Sequence, residues 1–268
     1  MRYACRQGGR DLAPKPIAVL RYDKLKVQVY KDKVDLGRAA AAEVAAAIKS
    51  VVKDKQLANI VFSSGASQFT FVEGLKEQEI DWQSVQGFHL DEYVGMKADH
   101  PASFRLWMKE RIVKQFGPKV FHFVEGDAPD AEAECERYAQ LLRENPLDIG
   151  LIGIGENGHV AFNDPPVADF NDPKLVKVVE LDEACRNQQV GEGWFATIDD
   201  VPTHAITLTV PAIMACKRIF SVVPDARKAE AVKNALQGPI DTSCPASILR
   251  THPAATLFLD PDSASLLG

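Results

Sequence analysis

The segment Leu151-Ile-Gly-Ile-Gly-Glu-Asn-Gly-His159-Val-Ala-Phe-Asn-Asp-Pro-Pro166 constrains the fold most, because an apolar run empties into a glycine-punctuated loop carrying one histidine among polar side chains. Residues 147–154 are too few for a typical helix and too apolar for an exposed strand. They read as a central parallel strand covered on both faces. Gly153, Gly155 and Gly158 then let the backbone turn sharply and approach a ligand closely. His159 leaves that turn beside Glu156, Asn157, Asn163 and Asp164, and an imidazole titrating near neutrality can carry a proton in either direction.

Two further stretches share this grammar. Residues 85–90 read as a short strand that runs into Asp91 and Glu92, and two acids at a strand exit are a good place for a base. The alternative is a pair of solvated turn carboxylates or a helix cap. The apolar run from Ile60 empties into Ser64, Gly65, Ala66 and Ser67, ahead of a helical pattern over residues 69–76. Small and hydroxyl residues where a strand meets a helix N-terminus suit a phosphate, which would meet free N–H groups and the positive helix end. The loop is neither a Walker loop nor a GxGxxG fingerprint.

Composition narrows the function classes. With 268 residues, 46% of them hydrophobic, the chain can bury a sizeable core in one large domain. The 37 acids against 31 bases, net charge −6, with no basic stripe, give no support for a nucleic-acid partner. No apolar run approaches the roughly 20 residues needed to span a bilayer, so no membrane partner is expected. The first residues carry Arg2, Arg6 and Arg10 without an apolar core, so residues 1–24 read as a loose leader before a single domain over 25–268. A cytoplasmic location is the default. Five cysteines without a CxxC pair favour reduced thiols, and six histidines without close pairs give no metal-ligand spacing. His89 shares a strand face with Asp91 and is expected to pack against or orient that acid. Neither cofactor nor metal is expected.

The remaining pattern alternates. An early strand at 25–30 precedes an alanine-rich helix at 36–52. A helix at 101–115, a strand at 120–124 and a charged helix at 130–143 come before the histidine strand. Strands at 175–179, 204–210 and 218–223, a helix at 226–236 and a strand at 255–259 follow. The expected architecture is α/β: a three-layer α/β/α sandwich, Rossmann-like, with an open, largely parallel sheet and its site at the carboxyl ends of the strands.

Phe88-His-Leu-Asp-Glu-Tyr-Val-Gly95, His100-Pro-Ala-Ser-Phe104 and Gly153-Ile-Gly-Glu-Asn-Gly-His-Val-Ala-Phe-Asn-Asp-Pro165 together resemble the glucosamine-6-phosphate deaminases (isomerases), relatives of the 6-phosphogluconolactonases. Weaker echoes occur at residues 64–67, at Arg227-Lys228-Ala229 and at His252-Pro253. The resemblance implies that Asp91 is the base moving a proton between C2 and C1 of an open-chain sugar phosphate. His159 would exchange a proton with the ring oxygen during ring opening. Ser64, Gly65, Ala66, Ser67 and Lys228 would hold the phosphate, with Glu92 among the substrate contacts.

Some positions depart from the family pattern. Deaminases usually carry Asp-Gly-His where this chain has Asn157-Gly158-His159, and Glu where it has Asp164. Asparagine orients an imidazole without adding charge, so His159 is expected to be a weaker base, with Glu156 as a substitute carboxylate. A second phosphate arginine has no clear counterpart among Gln188, Gln189 and Gly191, and Arg186 is the expected replacement. The helical segment that contributes to an allosteric site in regulated relatives is not recognisable, so no activation by N-acetylglucosamine 6-phosphate is expected. The leading expectation is isomerisation of a hexosamine 6-phosphate with release of ammonia by an enzyme that works as a monomer or a homo-oligomer. Alternatives are lactone hydrolysis, an isomerase for another amino sugar, or a sugar-phosphate-binding protein without turnover.

Overall fold

The computed structural model describes residues 13–268, so the first half of the expected leader, with Cys5, lies outside the described residues. A hairpin of β1 (Ala18–Tyr22) and β2 (Leu25–Val29) comes first, then α1 (Lys33–Lys55), β3 (Ala58–Phe62) and α2 (Phe69–Lys76). After β4 (Val85–His89) and β5 (Asp91–Tyr93), α3 (Phe104–Met108) runs on through the π-helical Lys109–Val113 into α4 (Lys114–Phe116). β6 (Val120–His122), α5 (Ala131–Glu144), β7 (Ile149–Ile152), β8 (Val176–Glu180) and α6 (Glu183–Gly191) follow. The chain closes with β9 (His204–Leu208), α7 (Val210–Met214), β10 (Arg218–Val223), α8 (Ala229–Gln237) and β11 (Ala255–Leu259).

Eight strands form the main sheet in the order β1-β2-β11-β10-β7-β3-β4-β6, parallel except for the β1–β2 pair. Alternate strand residues feed opposite cores, as a two-residue period requires. Leu257 and Leu259 face the layer holding α5, α7 and α8, while Phe258 faces the layer holding α1, α2 and α3. This is the expected α/β/α sandwich.

Helix α1 shows how local chemistry sets an element. Asp32 caps it by accepting from the N–H groups of Val34 and Asp35, and Lys53 and Lys55 sit at its negative end. Leu36, Ala40, Val44, Ala47 and Ile48 form its buried face. Gly37 lets α2 approach closely, since a Cβ there would meet the Thr70 carbonyl at 2.4 Å.

Three expectations need correction. The leader boundary at residue 24 cuts through the first hairpin, because β1 pairs along its whole length with β2, from Ala18↔Val29 to Tyr22↔Leu25. The strands expected at 175–179 and 204–210 leave the main sheet. They form a three-stranded antiparallel sheet, β5-β9-β8, in which Asp91 pairs with Thr207. The helix expected at 101–115 begins only at Phe104, after Ser103 caps it, and contains a π segment.

Among the described residues no helix is long and apolar enough to cross a membrane. Cys135, Cys185, Cys216 and Cys244 are buried and unpaired.

One buried carboxylate joins the strands flanking the centre of the sheet. Asp148, immediately before β7, accepts from the Asn59 N–H at 2.9 Å and pairs with Lys55 at 2.7 Å and Lys217 at 3.1 Å. Asp148→Ala should cost roughly 2–4 kcal/mol, because it leaves a buried N–H unmet and two lysines without their partner. Urea unfolding at neutral pH measures this loss.

Candidate active site

Taken outward from the centre, the parallel strands run β3-β4-β6 in one direction and β7-β10-β11-β2 in the other. The order in which the chain adds strands reverses between the parallel neighbours β3 and β7, and in an open α/β sheet ligands bind in the crevice beyond the carboxyl ends of such a pair. The loops leaving β3 and β7 are the serine loop and the histidine loop. The crevice between them is lined by Ser64, Gly65, Ala66, Ser67, Asp91, Gly153, His159 and Lys228. Phe104, Phe162, Gln188, Gln189 and Glu192 complete its walls.

The histidine loop is tightly built. The Gly155 N–H donates to the His159 carbonyl at 2.9 Å, folding the loop back on itself. Any side chain on Gly155 would collide with the imidazole, with Nε2 2.2 Å from a Cβ. Beyond the histidine, Phe162 N–H donates to Thr207 Oγ1 and Asn163 Nδ2 donates to the Leu208 carbonyl, tying the loop to β9.

Asp164 is the hub beneath His159. Its Oδ1 lies 2.8 Å from His159 Nδ1 and accepts from Asn157 Nδ2 at 2.9 Å. The Asn157 carbonyl oxygen in turn accepts from the His159 N–H at 3.0 Å. Burial pushes the Asp164 carboxyl up, but His159, Asn157 and the Asp182 N–H together hold it below the usual carboxylate range. The imidazole thus has a carboxylate at Nδ1, supplied by residue 164 rather than residue 157. Glu156 does not substitute for it, since its Oε1 faces the Arg227 guanidinium at 3.5 Å.

Asp91 stands opposite in character. It is buried, and desolvation followed by the neighbouring Glu92 raises its carboxyl well above the usual range. Glu92 does not join it in the crevice. Its carboxylate accepts from the Ser103 hydroxyl and from the N–H groups of Tyr93, Phe104 and Arg105, capping α3 from below. His89 is fully buried against Phe123, and burial followed by the Arg105 charge lowers it to about 3. It is a packed neutral ring.

Of the cations, Lys228 lines the crevice and Arg186 does not. Arg186 Nη2 donates to the carbonyls of Ile198 and Val201, at 2.6 and 3.1 Å, and anchors the segment after α6. Lys228 is buried, which lowers its ammonium below the ordinary lysine value.

Sequence reading overlooked Ser63, Phe104 and the crevice-facing role of α6. Gln188 and Gln189 were noted only as departures and Glu192 not at all, since nothing in a helix's own sequence says which loop it faces. Cys185 also enters the site, with His159 Nδ1, an Asp164 oxygen and Cys185 Sγ within 4.8 Å of one another. Sequence spacing gives no hint of this grouping. Burial raises the Cys185 thiol well above its ordinary value, and the neighbouring Asp164 carboxylate raises it further.

A buried carboxylate, a carboxylate-supported imidazole and a buried ammonium around one crevice suit proton transfer on a small anionic molecule. Known proteins resemble this chain over most of its length. Residues 31–258 match the family model described as glucosamine-6-phosphate isomerases/6-phosphogluconolactonase. A glucosamine-6-phosphate deaminase of Listeria monocytogenes is 36% identical over 82% of this chain and 92% of its own length. The Bacillus cereus protein of that name is 37% identical over 82% of each chain. The solved structure of a monomeric glucosamine-6-phosphate deaminase superposes with a TM-score of 0.80 at 32% identity, over 90% of this chain and 99% of that one. A 6-phosphogluconolactonase from Trypanosoma brucei, 16% identical, shares the fold with a TM-score of 0.76 over 94% of this chain and 100% of its own. This chain belongs to the glucosamine-6-phosphate isomerase/6-phosphogluconolactonase family.

Proposed function

We propose that this protein is a cytoplasmic enzyme that converts glucosamine 6-phosphate to fructose 6-phosphate and ammonia. The observation that carries the reading is the crevice that brings a buried carboxylate, Asp91, together with a histidine, His159, backed by its own carboxylate. Relatives named glucosamine-6-phosphate deaminase at 36–37% identity support the substrate. The unpaired buried thiols support a reducing compartment.

Ring opening requires a proton at the ring oxygen and removal of one from the C1 hydroxyl. Asp164 at Nδ1 favours the tautomer with hydrogen on that nitrogen, leaving Nε2 free to take and return a proton. Asn157 acts through Asp164 as a positioning residue. Isomerisation then needs a base at C2 that returns the proton to C1, and Asp91, short of solvation, is a stronger base than an exposed carboxylate. Nitrogen leaves as ammonia once C2 becomes an imine and water adds there. The phosphate lies against the 64–67 loop, where the first turn of the following helix leaves N–H groups free, with Lys228 beside it. Neither step calls for a redox cofactor, since the substrate's own carbonyl carbon accepts the electron pair.

Asp91→Asn should keep sugar-phosphate binding while lowering ammonia release by about 100-fold or more. The same change should stabilise the protein at neutral pH. Asp91 has a raised carboxyl in the folded state, so its contribution is most favourable at low pH and is lost as pH rises from the unfolded value through the folded one. The gain in melting temperature of Asp91→Asn should therefore be full near pH 8 and shrink toward pH 4. Equal melting temperatures of both proteins at pH 8, or near-normal turnover, would refute the assignment.

At residue 157 the amide serves this arrangement better than a carboxylate would. Asn157→Asp removes the donor to Asp164 and sets a third carboxylate beside Asp164 and Asp182, whose Oδ2 is 3.3 Å from Asn157 Nδ2. Turnover of glucosamine 6-phosphate should fall by roughly tenfold, with its acid limb moved to higher pH. A rate increase on this substrate would show that His159 lacks adequate support in the natural sequence.

Dialysis against a metal chelator should leave the rate of ammonia release unchanged. Loss restored by a divalent metal would overturn the metal-free chemistry.

A further inference from the structure

A buried ammonium without a partner is costly, so its surroundings indicate what completes it. Lys228 lies on the wall shared by the crevice and a second cavity behind the 64–67 loop. Among the described residues it makes no hydrogen bond or ion pair. The second cavity is lined by Lys33, Ser67, Thr70, Glu192, Arg227 and Lys228. Thr70 Oγ1 is shielded there from solvent and also has no partner. An unmet ammonium and an unmet hydroxyl beside a helix N-terminus call for an oxygen-rich anion.

Charge balance shows that Lys228 alone does not suffice. Glu192 and Glu156 are the carboxylates that act on it most strongly. A phosphate monoester brings close to two further negative charges. A second cation is needed within reach, and Arg186 is committed to two backbone carbonyls. Arg227 is not so committed. It precedes Lys228 on the 3₁₀ turn Ala226–Lys228, and its Nη1 sits 3.5 Å from Glu156 Oε1, at the seam between the histidine loop and the end of α6. A Cβ on Gly191 would be 3.9 Å from that nitrogen, ordinary contact distance, so the end of α6 lies beside the guanidinium without crowding it. A long, partly exposed ion pair of this kind is worth little and is readily exchanged for a phosphate, which a guanidinium can grip with two N–H groups.

Resting on the sugar-phosphate reading above, we propose that Arg227 is the second cationic ligand of the substrate phosphate, released to it from Glu156 when substrate enters. Glu156 then holds the arginine in reserve in the empty site. It competes with the phosphate for it.

The test uses inorganic phosphate as the probe, in two readouts: the rise in melting temperature it causes, and its competitive inhibition of ammonia release from glucosamine 6-phosphate. Arg227→Ala should weaken phosphate binding in both by roughly tenfold or more and raise KM similarly, with much less effect on kcat. Arg227→Gln covers the case in which the alanine variant is poorly folded, and should lose phosphate binding comparably. Glu156→Gln should do the opposite and tighten phosphate binding several-fold. Unchanged phosphate binding in well-folded Arg227→Ala or Arg227→Gln protein, or weaker binding in Glu156→Gln, overturns the proposal. The melting readout needs no turnover. If the natural protein releases no ammonia from glucosamine 6-phosphate, the functional reading fails while the phosphate shift still decides the role of Arg227.

Discussion

The parallel pairing of β3 with β7 is the constraint on which the site depends. Ile60 opposes Ile149 and Phe62 opposes Leu151, so two strands 89 residues apart end side by side, pointing their loops the same way. Because the remaining parallel strands extend outward from this pair in opposite directions, no helix crosses over the gap, and a crevice is left at the strand ends. The serine loop and the histidine loop form its two lips. Asp148 guards the other end of the same pair, tying the entry of β7 to the first N–H groups of β3.

Around that crevice the protein holds buried charges at different settings. Asp91 is kept short of solvation with no compensating donor, so its carboxyl rises. Asp164, equally buried, is surrounded by His159, Asn157 and the Asp182 N–H, so its carboxyl falls. Two identical side chains are thereby pushed apart in basicity by their surroundings. Glu92, adjacent to Asp91 in the chain, is spent on structure: four donors converge on it to start α3 and support the wall of the crevice.

The small β5-β9-β8 sheet has a mechanical part in this arrangement. It lifts Asp91 out of the main sheet immediately after Leu90, whose carbonyl accepts from the Leu208 N–H. It also receives the histidine loop through Thr207 and the Leu208 carbonyl. Asp91 and the histidine loop thus share one support, and their spacing is set by a sheet whose strands come from three separate parts of the chain.

Much of this was legible in the sequence because it is local. Hydrophobic runs of strand length, glycines where the chain turns back, and hydroxyls before a helix identify the three strand exits, and the α/β/α layering follows from their alternation with helices. Asp91, His159, the 64–67 loop and Lys228 could be singled out for the same reason. The partners of each group could not. Asn157 and Glu156 drew attention as supports for His159 by being near in sequence, yet Asp164 is the group that reaches Nδ1, because the loop folds back between them. Glu92, Arg186 and Arg227 could each have faced the substrate; which of them is held by a helix start, by two backbone carbonyls or by one weak ion pair depends on contacts between distant segments. Residue type and local pattern determined which chemistry this chain carries and at which strand ends. Tertiary structure alone decided which charges meet, because a hydrogen bond or ion pair forms by distance in space, and that distance is set by packing.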